Sequence, residues 1–227
     1  MSDHSPLLFA PLPAAEAPKG CRRCPRLVGL RKTLRKNHPD WWNAPVPAFG
    51  DPKASLALVG LAPGTEGANR TGRPFTGDAS GELLFATLTK YGFVNGQFAN
   101  DPADGITLTG AIILNAVKCL PPENKPTGVE INNCRDYLKK AIRALPNLRT
   151  ILALGKIAHD SIIRMEGLRL ADHKFGHGAA HILPNGRVLI DSYHCSQYNL
   201  NTGRLTPAMF GDVFQKALNI LPIDRPD

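Results

Sequence analysis

Four cysteines have the residue type and the spacing of a metal site. Cys21 and Cys24 form a C-x2-C pair, and Cys119 and Cys134 follow much later in the chain. Two intervening residues let one centre take both thiolates from a tight turn, and zinc and a 4Fe-4S cluster both accept four thiolates. The alternative is four unrelated cysteines, two of them buried as small apolar groups. Because Arg and Pro flank the pair, which is not typical of a core segment, the sequence favours a metal centre of either kind.

A glycine-rich loop over residues 62–81 is the second segment whose residues could bind a ligand or take part in a reaction. It lacks the Lys of a Walker A loop and the glycine spacing of a dinucleotide-binding turn, which disfavours nucleotide hydrolysis. Its backbone can approach a flat or anionic ligand closely. Within it, Phe75 could stack on a base or anchor the core. Asp78 could act as a general base or, as its position favours, cap the helix that follows. The glycines are Gly64, Gly67, Gly72, Gly77 and Gly81.

The third such segment is the polar loop from Tyr193 to Arg204. Its His194-Cys195 pair does not fit the HC-x5-R pattern of cysteine phosphatases, because eight residues separate Cys195 from Arg204. His194 could be a core histidine that hydrogen bonds satisfy. The density of polar residues and the Thr-Gly-Arg ending are instead typical of a loop that contacts phosphates.

The elements that must position these loops are alternating strands and helices. Residues 55–61, 112–117 and 150–154 are short apolar runs typical of buried strands, and helical periodicity follows them. This alternation predicts an α/β fold with a mainly parallel sheet covered on both faces. Ligands bind such sheets beyond the carboxyl ends of the strands, which is where the unusual loops begin.

Local signals mark where some of these elements begin and turn. Thr127 and Glu130 have the spacing of a capping box, which predicts the start of a helix. Asn185-Gly186 lies between two apolar segments and predicts a hairpin. Both signals depend on backbone geometry that few other residue types provide.

Length and charge place limits on the class of protein. The 227 residues suffice for one sizeable core, and the formal net charge is +8. Residues 1–19 are rich in Pro and Ala without periodicity, which predicts a flexible arm before a single domain over residues 20–227. The positive charge suits a polyanionic partner such as DNA, although solubility alone could account for it. With no apolar run near 18 residues and no signal peptide, we expect a cytoplasmic protein without a membrane span.

Together these segments resemble the iron–sulfur uracil-DNA glycosylases, most closely the type-5 or B class with broad specificity. The four cysteines match the cluster ligands of that family in order, and the resemblance covers nearly the whole chain. One departure is Cys195, where many relatives have a Pro that would stiffen the loop. The resembling segments are Gly60–Gly64, Asn69–Ser80, Leu114–Cys119, Ser192–Gln197 and Asn201–Arg204.

The resemblance implies a three-layer α/β/α sandwich with a short central parallel sheet and a structural 4Fe-4S cluster. It implies a DNA repair enzyme that flips uracil out of double-stranded DNA and hydrolyses the N-glycosidic bond, leaving an abasic site. Other deaminated bases such as hypoxanthine are expected substrates, and we expect a monomer. Two alternatives stay open: a non-catalytic DNA-binding module on the same fold, and a zinc protein that processes nucleotides or phosphoesters.

The resemblance also assigns roles to single residues. It implies that Phe75 stacks on the flipped base, that Asn115 reads its edge, and that His194 stabilises the charge on the leaving base. Because Leu61 stands where other classes carry Asp, Asn or Glu, Asp78 is the best candidate to position water or stabilise the cationic sugar. The implied base-binding set is Gly60, Ala62, Gly64, Phe75 and Asn115. The implied DNA-contacting set is Arg70, Arg73, Asn201, Thr202, Gly203 and Arg204.

Overall fold

The computed structural model describes residues 11–221. The strands are β1 (Phe49–Gly50), β2 (Leu56–Gly60), β3 (Val94–Asn95), β4 (Thr107–Leu108), β5 (Ala111–Asn115), β6 (Thr150–Leu154), β7 (Ala180–Ile182) and β8 (Val188–Ser192). The α-helices are α1 (Pro25–Asn37), α2 (Ala68–Thr71), α3 (Ala79–Lys90), α4 (Gly128–Arg143), α5 (Lys156–Met165), α6 (Gln197–Asn201) and α7 (Pro207–Leu218). Pro13–Ala15 and Pro122–Asn124 form short 3-10 helices. Among the helices of this described range, none has the length and apolar character needed to cross a membrane.

Six strands form the central sheet in the order β1-β5-β2-β6-β8-β7. The four inner strands run parallel, and β1 and β7 pair antiparallel at the two edges. The predicted, mainly parallel sheet is therefore confirmed. A separate ribbon of β3 and β4 was not predicted, because strands of two residues leave no alternation in the sequence.

Helices cover both faces of the sheet, which confirms the predicted three-layer sandwich. On one face, α4 and α5 contribute apolar side chains such as Leu138 and Ile162 to a core that includes Leu189. On the other face, α3 and α7 contribute Phe85 and Phe214 to a second core. The two cores fix the sheet from both sides, so the loops at its carboxyl edge project from a rigid base.

The predicted capping box and hairpin are both confirmed. Thr127 Oγ1 accepts from Glu130 N, and the Glu130 carboxylate accepts from Thr127 N at 2.8 Å. The two residues thus satisfy two backbone N–H groups that the start of α4 would otherwise leave unpaired. The turn at Asn185-Gly186 joins β7 to β8.

Residues 11–19 pack against the domain. Leu12 and Ala15 are buried in the core that α4 and α5 cover. The Glu16 carboxylate accepts from Lys118 Nζ at 2.8 Å and from Ala48 N at 2.8 Å. The Lys118 side chain is 1% exposed, so this ion pair fixes the segment to the loop after β5. Residues 1–10 of the predicted arm lie outside the described residues.

Candidate functional site

The loops that follow β2, β5 and β8 enclose a cavity of about 270 Å³. This volume is close to the lower end of the range for small-molecule pockets, about 300 Å³. The cavity lies at the carboxyl edge of the sheet, where parallel α/β sheets bind ligands. The structure thus brings the predicted residues Asp78, Asn115 and His194 together with Phe75. The full lining is Leu61, Ala62, Pro63, Gly64, Ala68, Phe75, Asp78, Ser80, Asn115, Asn124, His194 and Ser196.

Gly60, the last residue of β2, keeps space free beside the cavity. Its neighbour across the parallel strands is Asn115 at the end of β5. A Cβ atom on Gly60 would lie 2.8 Å from Asn115 Oδ1 and 3.0 Å from the Phe75 ring. Glycine is therefore needed here for space between these two side chains.

Phe75 combines the two roles that the sequence left open. Its ring packs in the core beside α3 and α7 and also lines the cavity. The backbone has a φ of 53°, a left-handed conformation that costs a bulky residue about 1–3 kcal/mol. Gly81 packs directly on the Phe75 carbonyl, in a space that no side chain could enter. The ring faces the His194 imidazole, with the ring centres 5.8 Å apart and the planes at 25°.

Asp78 caps α3 and lines the cavity as well. Ser80 N donates to Asp78 Oδ1 at 3.0 Å, which confirms the predicted helix cap. The second oxygen, Oδ2, packs against Gly64 and Gly67, where a side chain would collide with it. These two glycines of the loop therefore make room for a carboxylate at the cavity wall.

His194 lies in the loop after β8. Asn199 Nδ2 donates to its carbonyl oxygen at 2.8 Å. Burial lowers the pKa of the His194 imidazole, and the charge of Asp78 offsets part of this effect. The imidazole is therefore neutral near pH 7, a form in which it can still donate one hydrogen bond.

Cys195, next to this histidine, lies away from the other four cysteines. It is fully buried, and its thiol donates to the Ser80 carbonyl at 3.5 Å. Burial raises the pKa of the Cys195 thiol to about 12, so the thiol is neutral at physiological pH. These contacts fit a structural residue that joins the His194 loop to the start of α3.

The predicted DNA-contacting residues after the His194 loop lie at the surface. Residues 201–204 are exposed and include the last residue of α6 and the turn after it. The Arg204 guanidinium lies 4.5 Å from the centre of the Tyr193 ring, which directs it along the loop. Arg70 is also exposed, although its guanidinium donates to the carbonyls of Glu66 and Gly77.

Arg73 has different surroundings from those expected of a DNA contact. Its side chain is 8% exposed, and the guanidinium makes two hydrogen bonds of 2.6 and 2.8 Å to the Asp104 carboxylate. It also lies between 5.2 and 5.9 Å from the ring centres of Phe49, Phe85 and Phe98. A buried, paired guanidinium is not free to meet a phosphate. We therefore assign Arg73 a structural role in place of the predicted DNA contact.

The structure adds Asn124 to the residues that line the cavity. Asn124 reaches the cavity from the loop between β5 and α4, with a left-handed φ of 56° that Asn tolerates better than most residues. Its proline-rich surroundings carry no periodic signal from which the sequence could have placed it. Tyr198 on α6 is 73% exposed, which is unusual for a large aromatic ring. The sequence pattern does not reveal this exposure.

The four remaining cysteines form a second, separate site. Cys21 and Cys24 precede α1, Cys119 follows β5, and Cys134 lies on α4. Their side chains line one small pocket with apolar neighbours such as Leu27. The polar neighbours of the sulfurs are Tyr137 Oη at 3.9 Å from Cys21, Asn133 Nδ2 at 3.6 Å from Cys24, Arg31 Nη1 at 3.5 Å from Cys119 and Lys118 N at 3.2 Å from Cys134.

The surroundings of these cysteines fit a metal–thiolate centre. Arg31 is 4% exposed, and its Nε has no hydrogen-bond partner within the described chain. A buried cation next to four sulfurs suits a group with net negative charge. Burial raises the pKa of Cys119 to about 12 and that of Cys134 to about 11, so binding of a metal ion at these thiols would release their protons.

The cysteine site can be compared with the requirements of a single zinc ion and of a 4Fe-4S cluster. Within residues 11–221, no three cysteine sulfurs lie within 4.8 Å of one another, whereas His159, His181 and Asp191 do form such a group. A single tetrahedral zinc ion, with Zn–S bonds of about 2.3 Å, would hold its sulfurs about 3.8 Å apart. Four thiolates suit either kind of centre, since a zinc ion and a 4Fe-4S cluster both accept four of them.

The fold and the cavity define a three-layer α/β protein with a small-ligand site at the carboxyl edge of its sheet. Comparison with known families narrows this class. Residues 47–218 match the family model "Uracil DNA glycosylase superfamily", and the chain belongs to this superfamily.

Individual relatives agree with this assignment. The chain is 45% identical to a type-5 uracil-DNA glycosylase of Thermus thermophilus, over 87% of this chain and 92% of that protein. It is 41% identical to a type-5 uracil-DNA glycosylase of Mycobacterium tuberculosis, over 90% of this chain and 79% of that protein. A type-4 uracil-DNA glycosylase of Pyrobaculum aerophilum is 35% identical over 66% of this chain and 63% of its own length. The chain is thus similar to type-5 proteins over a larger share of its length.

Proposed function

We propose that this protein is a uracil-DNA glycosylase that begins the repair of deaminated DNA. The observation that carries the proposal is the cavity, where an aromatic ring, an amide, a neutral imidazole and a carboxylate meet. Membership of the uracil DNA glycosylase superfamily and the similarity to type-5 proteins support the same activity. The product would be a free base and an abasic site in the DNA.

The substrate base has to leave the duplex to reach this cavity. Flipping a base out of the stack costs a few kcal/mol and is easiest for a mispaired base, such as uracil opposite guanine. A net charge of +8 favours binding to the phosphate backbone, and exposed residues 201–204 lie beside the loop that carries His194. We therefore propose that double-stranded DNA is the substrate. We also propose that the protein acts as a monomer in the cytoplasm.

Phe75 and Asn115 are the proposed base-binding residues. The Phe75 ring offers an apolar face on which a flat base can stack. The Asn115 amide carries both a donor and an acceptor, which suits an edge of uracil that also carries both. Asn115 is 4% exposed, so competition from bulk water is weak at this position.

Cleavage of the glycosidic bond is the proposed task of His194 and Asp78. As the C1′–N bond breaks, its electron pair moves to the base and the sugar becomes oxocarbenium-like. A neutral His194 can donate a hydrogen bond to the base oxygen on which the negative charge develops. The Asp78 carboxylate can stabilise the cationic sugar and orient the water whose oxygen bonds to C1′. Leu61 offers neither function, because its side chain is apolar.

A wider range of deaminated bases, including hypoxanthine, is part of the proposal. The hydroxyl groups of Ser80 and Ser196 line the cavity together with the Asn124 amide. A hydroxyl rotates and can donate or accept, so it tolerates base edges with different patterns of donors and acceptors. A cavity lined in this way is less selective than one built from fixed donors alone.

We further propose that Cys21, Cys24, Cys119 and Cys134 hold a 4Fe-4S cluster. The shared pocket of the four cysteines and the buried Arg31 beside it support a metal–thiolate centre, and the resemblance in sequence to the iron–sulfur uracil-DNA glycosylases favours a 4Fe-4S cluster over zinc. The cluster would cross-link the segment before α1 to the loop after β5 and to α4. It would act as a structural group and take no part in cleavage.

The experiment that tests the activity uses duplexes with one lesion, either uracil or hypoxanthine, opposite guanine. Under single-turnover conditions we expect free base and an abasic site from the uracil duplex, and slower release from the hypoxanthine duplex. A thymine–guanine duplex is the matched control, since it keeps the mispair. Binding to the uracil duplex without any abasic site would favour a non-catalytic DNA-binding module and contradict the proposal.

A further inference from the structure

The position of His194 depends mainly on its backbone. In the described residues its hydrogen bond is the one that its carbonyl accepts from Asn199, and its ring faces that of Phe75. Its placement in the cavity is therefore set by the peptide groups on either side. The residue before it is Tyr193, the first residue after β8, and the Tyr193 N–H belongs to the Ser192–Tyr193 peptide.

The Tyr193 N–H has no backbone carbonyl of a neighbouring strand as its hydrogen-bond acceptor in the described residues. Ladder pairing of β8 ends at Ser192, whose carbonyl accepts from Gly155 N at 2.8 Å. The next N–H, that of Tyr193, donates to His177 Nδ1 at 3.1 Å. A side chain thus replaces the neighbouring strand at the point where the chain turns into the cavity.

His177 is itself held by Asp191 of β8. Gly176 N donates to Asp191 Oδ2 at 3.2 Å, and Gly178 N donates to the Asp191 carbonyl at 2.8 Å. Both neighbours of His177 are therefore fixed to the strand that leads to His194. Lys216 Nζ adds a bond of 2.7 Å to the Gly178 carbonyl from α7.

Two histidines behind Asp191 add hydrogen bonds to this support. His159 Nδ1 lies 2.8 Å from Asp191 Oδ1, and His159 Nε2 lies 2.8 Å from the His173 carbonyl. Both nitrogens face acceptors; burial lowers the pKa of His159, but the hydrogen bond to Asp191 and the charge of that carboxylate outweigh this and raise it. The direct 2.8 Å contact to Asp191 is a hydrogen bond. His181 Nε2 contacts the other carboxylate oxygen at 3.2 Å.

Ring contacts extend the same support to the protein surface. The His177 and Tyr193 rings stack with centres 5.0 Å apart and planes at 21°. The Arg204 guanidinium also lies over the Tyr193 ring, 4.5 Å from its centre. A DNA contact at Arg204 would therefore act on the same residue that His177 holds.

Only the neutral form of His177 can accept the Tyr193 N–H at Nδ1. Burial lowers the pKa of His177, while the Met209 carbonyl and the Asp212 carboxylate of α7 raise it in part. Lys216 on the same helix and Arg204 beyond Tyr193 are the cations on this side. The balance favours the neutral ring with its proton on Nε2.

We propose that His177 is a positioning residue for base release, whose Nδ1 fixes the Tyr193 peptide and thereby sets the place of His194 in the cavity. The inference rests on the proposed glycosylase function. It differs from a packing role because it requires one acceptor atom at one position. A displacement of about 1 Å of a reacting group can reduce a rate about 100-fold.

Two substitutions separate the acceptor from the ring. His177→Asn keeps an acceptor two bonds from Cβ but removes the ring that stacks on Tyr193. His177→Phe keeps a stacking ring but removes the acceptor. We expect the single-turnover rate of uracil release to stay within about 3-fold of wild type in His177→Asn and to fall about 10- to 100-fold in His177→Phe. DNA affinity should change little in either variant.

The control is His173→Phe, because only the His173 carbonyl is hydrogen-bonded within this support, and a Phe ring keeps the contact with the His181 ring, whose centre lies 5.8 Å away. It should keep the wild-type rate. Thermal unfolding of all variants is measured alongside, so that a rate loss at an unchanged melting temperature identifies positioning. If wild type releases no uracil, the proposed function fails. If wild type is active and His177→Phe is as fast as His177→Asn, the inference fails alone.

Discussion

The base cavity and the cysteine site lie on either side of the same loop yet differ in construction. In the base cavity, glycines at positions 60, 64 and 67 keep backbone and side chains apart, so that polar groups face open space. In the cysteine site the sulfurs meet donors from Asn133, Arg31 and Lys118, and apolar residues close the pocket. The loop from Asn115 to Cys119 joins the two sites.

This difference in construction indicates that the base cavity serves catalysis and that the cysteine site serves stability of the fold. Groups that face open space are available to a ligand and contribute little to the folded state, whereas enclosed groups contribute to folding and are not available to one. Substitutions in the base cavity should therefore reduce catalysis and leave stability nearly unchanged. Substitutions in the cysteine site should reduce stability and iron content.

The largest effect is expected for Cys119→Ser. Loss of one thiolate should abolish the cluster and remove several kcal/mol of folding free energy, since metal binding is coupled to folding. For a protein of this size that lowers the melting temperature by about 10 °C or more. Iron analysis and thermal unfolding measure the two results. Cys195→Ser is the control and should keep its iron; a full complement of iron in Cys119→Ser would contradict the cluster assignment.

Asp78→Asn should reduce catalysis in the base cavity and leave the cysteine site unchanged. Asn is as good a helix cap as Asp, so α3 keeps its start while the cavity loses its charge. We expect the single-turnover rate of uracil release to fall about 100-fold or more, the size of effect that follows loss of one charge-stabilising group. The melting temperature and DNA affinity should stay within error of wild type. A large fall in melting temperature with an unchanged rate would reverse the distinction between the two sites.

The smallest effect concerns pH. The pKa of His194 is lowered, so the neutral form predominates above the ordinary histidine value of about 6.5, and protonation begins only below it. If the neutral imidazole is the form that stabilises the leaving base, the rate at saturating enzyme is constant near pH 7 to 8. The rate then falls as the pH decreases below the ordinary histidine value and His194 becomes protonated. A rate that rises toward acid pH would mean that the imidazolium is the active form. DNA affinity measured at each pH excludes a binding effect.

The sequence was sufficient for features that depend on local pattern. Apolar runs located the inner strands, and the pairs Thr127–Glu130 and Asp78–Ser80 located two helix starts, because such signals need only neighbouring residues. It was not sufficient for contacts between distant segments. The burial of Arg73 depends on Asp104 and on aromatic rings elsewhere in the chain, and the place of Asn124 depends on how a proline-rich loop turns.

The most direct test of the account is uracil release by Gly60→Ala. The added Cβ would lie 2.8 Å from Asn115 Oδ1 and 3.0 Å from the Phe75 ring, in the space where we propose the base is held. The account predicts a folded variant with wild-type iron content, a melting temperature a few degrees lower because of the added crowding, and a single-turnover rate on a uracil–guanine duplex that is about 100-fold lower. A Gly60→Ala enzyme that releases uracil at the wild-type rate would contradict the placement of the base between Phe75 and Asn115.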